Sequence, residues 1–283
     1  MNALHRTLSL SCVTLVALSA CAENQTPPPE KGPYKAPSAE PLSCVPNLDG
    51  KIEASELQAA FGVPVSYLVS PAGRERAVDL AGSPAEGGML HWDLGADYAD
   101  DRVAKLSAKA LTGTWYESAF PGATFAAPFD AAGATWAIYA QSSETISLMG
   151  LASKDEAPAD GKTLLVYQEP IAVYRFPLTP GMQWIASSKI ENGTVRGLPY
   201  AGKDTYEIKV DGEGTLELPD LRFSRALRVK TRVTVQPAAG ESVVTRQTSF
   251  FFECFGEVAR ATSRPGEQDE NFKIAAELRR FGL

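Results

Sequence analysis

Histidine and cysteine are scarce in this 283-residue chain, which holds two histidines, His5 and His91, and four cysteines, Cys12, Cys21, Cys44 and Cys254. One of those histidines lies in the first few residues, so a histidine-rich zinc centre is excluded. Basic residues are the minority: 27 Lys and Arg stand against 34 Asp and Glu, a net charge of −7. That balance argues against nucleic acid and against direct electrostatic adhesion to anionic lipid. Long apolar runs are missing as well. The longest, Thr7 to Ala20, is about 14 residues, where a bilayer-spanning helix needs roughly 20. The glycines are scattered through turns, with no phosphate-binding loop, dinucleotide fingerprint or G-x-S-x-G elbow. Helix signals are almost absent after Phe61.

What is present begins at the N-terminus. A basic head (His5, Arg6), a short apolar core and small residues before Cys21 make an export signal. The boundary Leu18-Ser19-Ala20-Cys21 resembles the lipobox of bacterial lipoproteins. The resemblance implies cleavage before Cys21 and a diacylglycerol on its thiol, often with a further acyl chain such as palmitate on the new amine. Cys12 fits less well, with Ser9 at its −3 position. Two or three chains at about 0.8 kcal/mol per buried methylene hold a protein stably in a membrane. Ala22 is not the aspartate that retains many lipoproteins in inner membranes, so the resemblance favours an outer membrane. Residues 1–20 are then signal and residues 21–43 a tether. Six prolines between Pro27 and Pro41, with Glu, Lys and Ser, leave that stretch too little apolar surface to fold. Fully extended, it reaches about 70 Å.

Removing the signal leaves the remainder slightly more acidic and sets aside Cys12 and, as the lipid carrier, Cys21. Cys44 and Cys254 remain. In an oxidising envelope they are expected to form a disulfide, closing a loop of about 210 residues.

Residues 44–61 read as a loop and one short helix, and residues 62–283 as a mainly β body. In Arg225 to Gln236, Leu227, Val229, Val233 and Val235 alternate with Arg228, Lys230 and Arg232, the pattern of a half-buried strand. Val243 to Phe255 follows as another. Asn192-Gly193 and Asp211-Gly212 predict hairpin turns. Phe272, Ile274, Ala276 and Leu278 predict a last strand. Strand candidates in the first half are Val63 to Val69, Met89 to Leu94, Arg102 to Leu111, Trp136 to Ala140 and Ile146 to Leu151. Their spacing suggests antiparallel meanders in a sandwich, a half-barrel or a curved sheet. Trp115-Tyr116, Phe120 to Thr124, Leu227 to Val229, Glu253 to Gly256 and Ala276 to Arg280 resemble segments of bacterial lipoproteins that have no assigned activity. That likeness implies the plan and imports no chemistry.

The clearest chemical candidate is Asn47 to Leu57, which resembles part of an EF-hand calcium loop. Gly50 falls at the sharp turn, Asn47 and Asp49 at ligand positions 3 and 5, Glu53 at the water-bridged position and Glu56 at the bidentate one. Val45 occupies position 1, where a ligand oxygen belongs, so the alternative is a turn into a capped helix. His91 could serve as a base for Ser118 or Ser142, or be a strand histidine packed by Trp92. The acidic cluster Asp93, Asp97, Asp100 and Asp101 reads as solvated loop, and a glycosidase pair among the carboxylates has no location in sequence. Trp115, Tyr116, Phe120, Phe125, Phe129, Trp136 and Tyr139 read as core, or as the lining of a cavity for an apolar ligand or a sugar. The reading is a membrane-anchored envelope protein without catalysis, binding a ligand or partner or supporting the envelope; a calcium module and a carboxylate hydrolase are the alternatives. In the full chain, Cys21→Ser is expected to abolish palmitate labelling and release the protein from the membrane fraction. A labelled, membrane-bound variant would contradict the anchor.

Overall fold

Apolar residues on alternate positions make a two-faced ribbon, and nearly every ribbon here finds its neighbour in chain order. The computed structural model describes residues 44–57 and 61–282. The signal, the tether and Cys21 lie outside these residues, as does part of the expected short helix. The described remnant of that helix is one 3-10 turn, Ala54–Leu57.

Strands β1 (Val65–Val69), β2 (Arg76–Ala77), β3 (Ser83–Pro84), β4 (Leu90–Asp93) and β5 (Arg102–Leu106) come first. The central run is β6 (Phe125–Pro128), β7 (Thr135–Gln141), β8 (Thr145–Ser153), β9 (Leu164–Arg175) and β10 (Gln183–Val195). It continues through β11 (Leu198–Glu217), β12 (Arg222–Pro237), β13 (Val243–Phe252), β14 (Gly256–Ser263) and β15 (Ile274–Phe281). From β6 to β15 each strand lies beside the next as an antiparallel meander; β1 then adds to β15, and β5 to β1. Just after β5, Lys109 and Ala126 of β6 exchange two backbone hydrogen bonds of 2.9 Å. That bridge brings the two sheet edges together, so the antiparallel sheet nearly closes into a barrel. At β9 and β10 the strands pair in register only at Leu164 and Thr194, and a side chain spans the seam, Glu169 N–H donating to Ser188 Oγ at 2.9 Å.

Both predicted hairpin turns fall elsewhere. Asn192-Gly193 lies within β10, where the register shifts, and the chain reverses four residues later at Arg196-Gly197, with φ of +47° and +77°. Asp211-Gly212 is a bulge inside the 20-residue β11. The reason is visible at Gly214, where a Cβ would sit 1.9 Å from the Leu90 carbonyl oxygen. The glycines of β11 make room for β4, which lies against it in parallel, the one parallel pairing among the described strands. Cys254, expected near the end of a strand, occupies the tight turn between β13 and β14 at φ +66°.

The sheet is apolar on both faces. Inside lie Tyr206, Ile208, Val210, Leu227, Val229 and Phe251, closed at one end by Ile52. Outside, the segment between β1 and β5 covers Phe250, Phe252, Ala259 and Leu278 with Leu80, Trp92 and Leu94. A second outer cover, the 110–124 loop, packs Leu111, Tyr116 and Phe120 on Trp136 and Ile138. The run Phe250-Phe251-Phe252 is thus outer, inner, outer.

Buried charges staple the larger cover down. Arg228 and Lys230, read from sequence as a solvated strand face, are 5% and 7% exposed. They meet Asp211 at 2.7 and 2.9 Å, and Arg228 Nη1 donates to the carbonyl oxygens of Leu80 (2.5 Å) and Ala81 (3.1 Å). Arg280, fully buried, donates to the carbonyl oxygens of Leu94 and Ala96 and pairs with Asp101 at 2.5 Å. Asp101 also holds Arg76 at 2.7 Å, so this member of the acidic cluster is buried rather than solvated. The cover supplies Asp101 for Arg280, and the bulge of β11 supplies Asp211 for Arg228.

Burial pushes the Asp211 carboxyl up, but Arg228 and Lys230 outweigh it and hold the group below its ordinary 3.8. Its stabilisation is therefore present above about 3.8 and is lost as pH falls through the lower folded value. Asp211→Ala is expected to cost about 3–5 kcal/mol by leaving buried Arg228 without its carboxylate and Lys230 with Glu270 alone. Chemical denaturation at neutral and acid pH checks this: the gap between variant and wild type should shrink in acid, and a pH-independent gap would refute the assignment.

Candidate functional site

With stabilising apolar contacts on both faces, the barrel interior is incompletely filled. Inward side chains of β7 to β14, with Pro128 and Phe129, surround a cavity of about 480 Å³. Its walls are tyrosines and aliphatics, among them Tyr139, Tyr167, Tyr174, Tyr200 and Tyr206 with Leu148, Val173 and Val233. A neighbouring cavity of about 470 Å³ reaches Tyr67, Phe255 and Phe281 and shares Pro128, Tyr139, Tyr174 and Arg260 with the first.

Two charged side chains line the first cavity, Arg260 and Asp204. Arg260 is matched: Nη2 and Nε lie 2.7 and 2.9 Å from Glu257 Oε2, and although burial opposes its charge, Glu257 keeps it protonated. Asp204 is 5% exposed and is matched on one oxygen only. Tyr167 donates its hydroxyl to Oδ2 at 2.5 Å, while Oδ1 has no hydrogen-bond partner among the described residues. Burial drives the Asp204 carboxyl above its usual range against the pull of that hydrogen bond. Burial likewise raises the phenols of Tyr139, Tyr174 and Tyr206, and that of Tyr67 to about 12, so all stay neutral donors. A chamber with an apolar wall and one spare acceptor can hold a small molecule by its body and orient it by a donor.

Sequence reasoning missed Asp204, although the signal existed. It shares the period-2 face of Tyr206, Ile208 and Val210, so an acid stands on the inward side of a strand. The proposed aromatic cluster divides between two faces. Phe125, Phe129 and Tyr139 line the interior cavities, whereas Trp115, Tyr116, Phe120 and Trp136 belong to the outer core.

The loop at Asn47 to Glu56 sits at the end of the barrel beside the β13–β14 turn. Cys44 is bonded to Cys254 there. Buried Glu253 accepts the amide hydrogens of Asn47 and Leu48 at 2.6 and 2.7 Å, so the loop wraps a carboxylate with its backbone. Asn47 Oδ1 accepts from the Asp49 amide, Asp49 Oδ1 from the Lys51 amide, and Glu56 Oε2 from the Glu53 amide. Lys51 Nζ lies 3.7 Å from Asp49 and 3.0 Å from Glu53. Among the described residues no group of three or more His, Cys, Asp or Glu side chains converges as a metal site.

His91 lies in β4 with Nε2 3.6 Å from Glu217, beside fully buried Trp92. Ser118 is in an exposed turn, and exposed Ser142 bonds to Thr145; neither serine is hydrogen-bonded to His91. A larger groove, about 710 Å³, runs over the outer face of β10 to β13, where Arg232 pairs with Glu207 and both Lys209 and Lys230 with Glu270. No protein-family model matches the chain, and neither a curated protein nor a solved structure matches it.

Reducing the Cys44–Cys254 bond is expected to destabilise the protein by about 2–4 kcal/mol, because the bond closes a very long loop. Denaturant midpoints of oxidised and reduced chain, with Cys254→Ser as a control, measure this. Equal midpoints would remove the bond from the list of stabilising features.

Proposed function

We propose that this protein is a lipid-anchored component of a bacterial cell envelope that binds a small, largely apolar ligand inside its barrel without transforming it. The observation that carries the reading is the tyrosine- and aliphatic-lined interior chamber. Its volume falls in the range of small-molecule sites, roughly 300–1,000 Å³, and a few polar groups stand on an otherwise apolar wall, as such sites require. The lipobox-like Cys21 and the proline-rich residues 21–43 support a place on the outer membrane, reached through the N-terminal lipid. The acidic balance of the chain supports a role apart from nucleic acid. The likeness of several segments to bacterial lipoproteins supports the same compartment.

A second reading keeps calcium at the N-terminal loop. It draws on Gly50, whose φ of +86° makes the sharp turn, and on the proximity of Asn47 and Glu56 at positions 3 and 12, where Asn47 Nδ2 donates to Glu56 Oε1 at 3.3 Å. Asp49 and Glu53 complete that donor set. Calorimetry of the full chain at millimolar calcium separates this reading from a purely structural loop: heat that disappears in Asp49→Ala supports the ion, and no heat removes it.

The chamber is tested with N-phenyl-1-naphthylamine, a neutral dye that brightens in apolar surroundings. The full chain is expected to bind it saturably, and Val233→Trp, which fills the chamber from β12, to weaken binding about tenfold or more. Dye binding that ignores Val233→Trp places the ligand elsewhere. Turnover of glycoside, ester or peptide substrates by the purified chain would contradict a binding-only role.

A further inference from the structure

The buried acids of this chain differ in one respect. Asp211 meets Arg228 and Lys230, Asp101 meets Arg76 and Arg280, and Glu253 accepts two backbone amides. Asp204 is buried to the same degree, yet receives a single hydroxyl from Tyr167 and keeps Oδ1 bare. A buried carboxylate without a counter-ion is strongly unfavourable, and leaving even one acceptor atom unpaired costs about 1–3 kcal/mol. The other three acids lie at the outer covers or the barrel end, where they hold the fold together. Asp204 alone among them faces the interior chamber.

The surroundings narrow what would complete it. Arg260, the one cation on the chamber wall, is taken up by Glu257. Tyr167, Tyr200 and Tyr206 line the chamber around the acid, and Tyr167 and Tyr200 are each close enough to feel its charge. Phenol rings present electron-rich faces that attract ammonium groups, by about 0.5–2 kcal/mol each when desolvated. A carboxylate with a free oxygen, among tyrosines, in an aliphatic chamber, matches an ammonium head on a hydrocarbon body. It is poorly matched to an anionic head.

Resting on the chamber reading above, we infer that the chamber is specific for an amphiphile with a protonated primary amine, which donates to Asp204 Oδ1 while its chain lies along the aliphatic wall toward Val173 and Val233. The ligand would thereby supply the counter-ion that the described residues do not provide.

Calorimetry with three ten-carbon probes below their micelle concentrations tests this on the full chain: decylammonium, decanol and decyl sulfate. Decylammonium is expected to bind about tenfold or more tighter than decanol, and decyl sulfate weakest, as a charge-assisted hydrogen bond predicts. Asp204→Asn should remove that preference, bringing decylammonium affinity down toward that of decanol. The ligand-free variant should also melt higher, by about 2–4 °C for each kcal/mol of relieved strain. Decanol or decyl sulfate binding as tightly as decylammonium overturns the amine assignment while leaving the chamber a binding site. Failure of all three probes overturns the chamber reading itself. Decylammonium affinity unchanged in a folded Asp204→Asn chain overturns the role of Asp204. The head-group order in the unmodified chain decides the question even if the variant does not fold.

Discussion

A sheet that is apolar on both faces cannot be left bare on either, and the way this protein covers its outer face determines what its inner face can do. The cover between β1 and β5 is held by Arg228 and Arg280, which reach from the sheet to carbonyl oxygens of Leu80, Ala81, Leu94 and Ala96. Such bonds to a loop backbone demand one placement of that loop, because guanidinium donors are rigid and directional. Asp211 and Asp101 then neutralise the two arginines. Without them, Trp92, Leu80 and Leu94 would have no fixed seat on Phe250 and Leu278. The outer layer is therefore a true core, with interdigitated aromatics such as Trp92 and Phe250, whose rings lie 5.0 Å apart. A fold stabilised from outside does not need every interior site filled.

The same division of labour explains the barrel's weak points. The closing contact between Lys109 and Ala126 is a single bridge, and the β9–β10 seam is held by one ladder pair, a serine hydroxyl and the Trp184 indole, which donates to the Ala172 carbonyl at 2.8 Å. Isolated, such joints would open readily, since each backbone bond contributes only about 1 kcal/mol. The 110–124 loop lies over the closing side, packing Tyr116 and Phe120 against Trp136 and Ile138. At the barrel end, Cys44–Cys254 and the grip of Glu253 on the amides of Asn47 and Leu48 hold Ile52 where it stops the interior. The disulfide and the Glu253 bonds sit where the sheet ends, and apolar packing covers the side where it closes.

How much of this was legible in the sequence depended on whether the signal was local. Period-2 alternation is a property of neighbouring residues, so the strand class, the meander and the approximate positions of β7, β8, β12, β13 and β15 could be read directly. The pairing of Cys44 with Cys254 was reachable by elimination, once Cys12 and Cys21 were assigned to export. Turn chemistry misled because Asn-Gly and Asp-Gly suit a bulge as well as a hairpin; at Asp211-Gly212 the approach of Leu90 to Gly212 and Gly214 decides between them, and Leu90 is more than a hundred residues away. Asp101 and Arg228 look solvated for the same reason. Their partners come from another part of the chain. The aromatic group from Trp115 to Tyr139 looked like one cluster because it is contiguous in sequence, whereas successive strand residues point to opposite faces.

Asp204 belongs to a different category, because its strangeness is not a partner hidden from local sequence but the absence, among the described residues, of any cation bonded to it, Tyr167 being its one hydrogen-bond donor. Local pattern put an acid on the inward face of β11, and folding did not bring a cation to it, although the chain brought cations to Asp101 and Asp211. Sequences that fold well are consistent from the local level to the global one, and departures tend to mark function rather than accident. Thr231 and Val233 on β12, Tyr167 on β9 and Thr245 on β13 all line the same chamber and are uncharged. A counter-ion at any of them would fill space and quench the acid at once. The chamber volume and the unpaired oxygen are thus two sides of one choice, and no side chain among the described residues satisfies both.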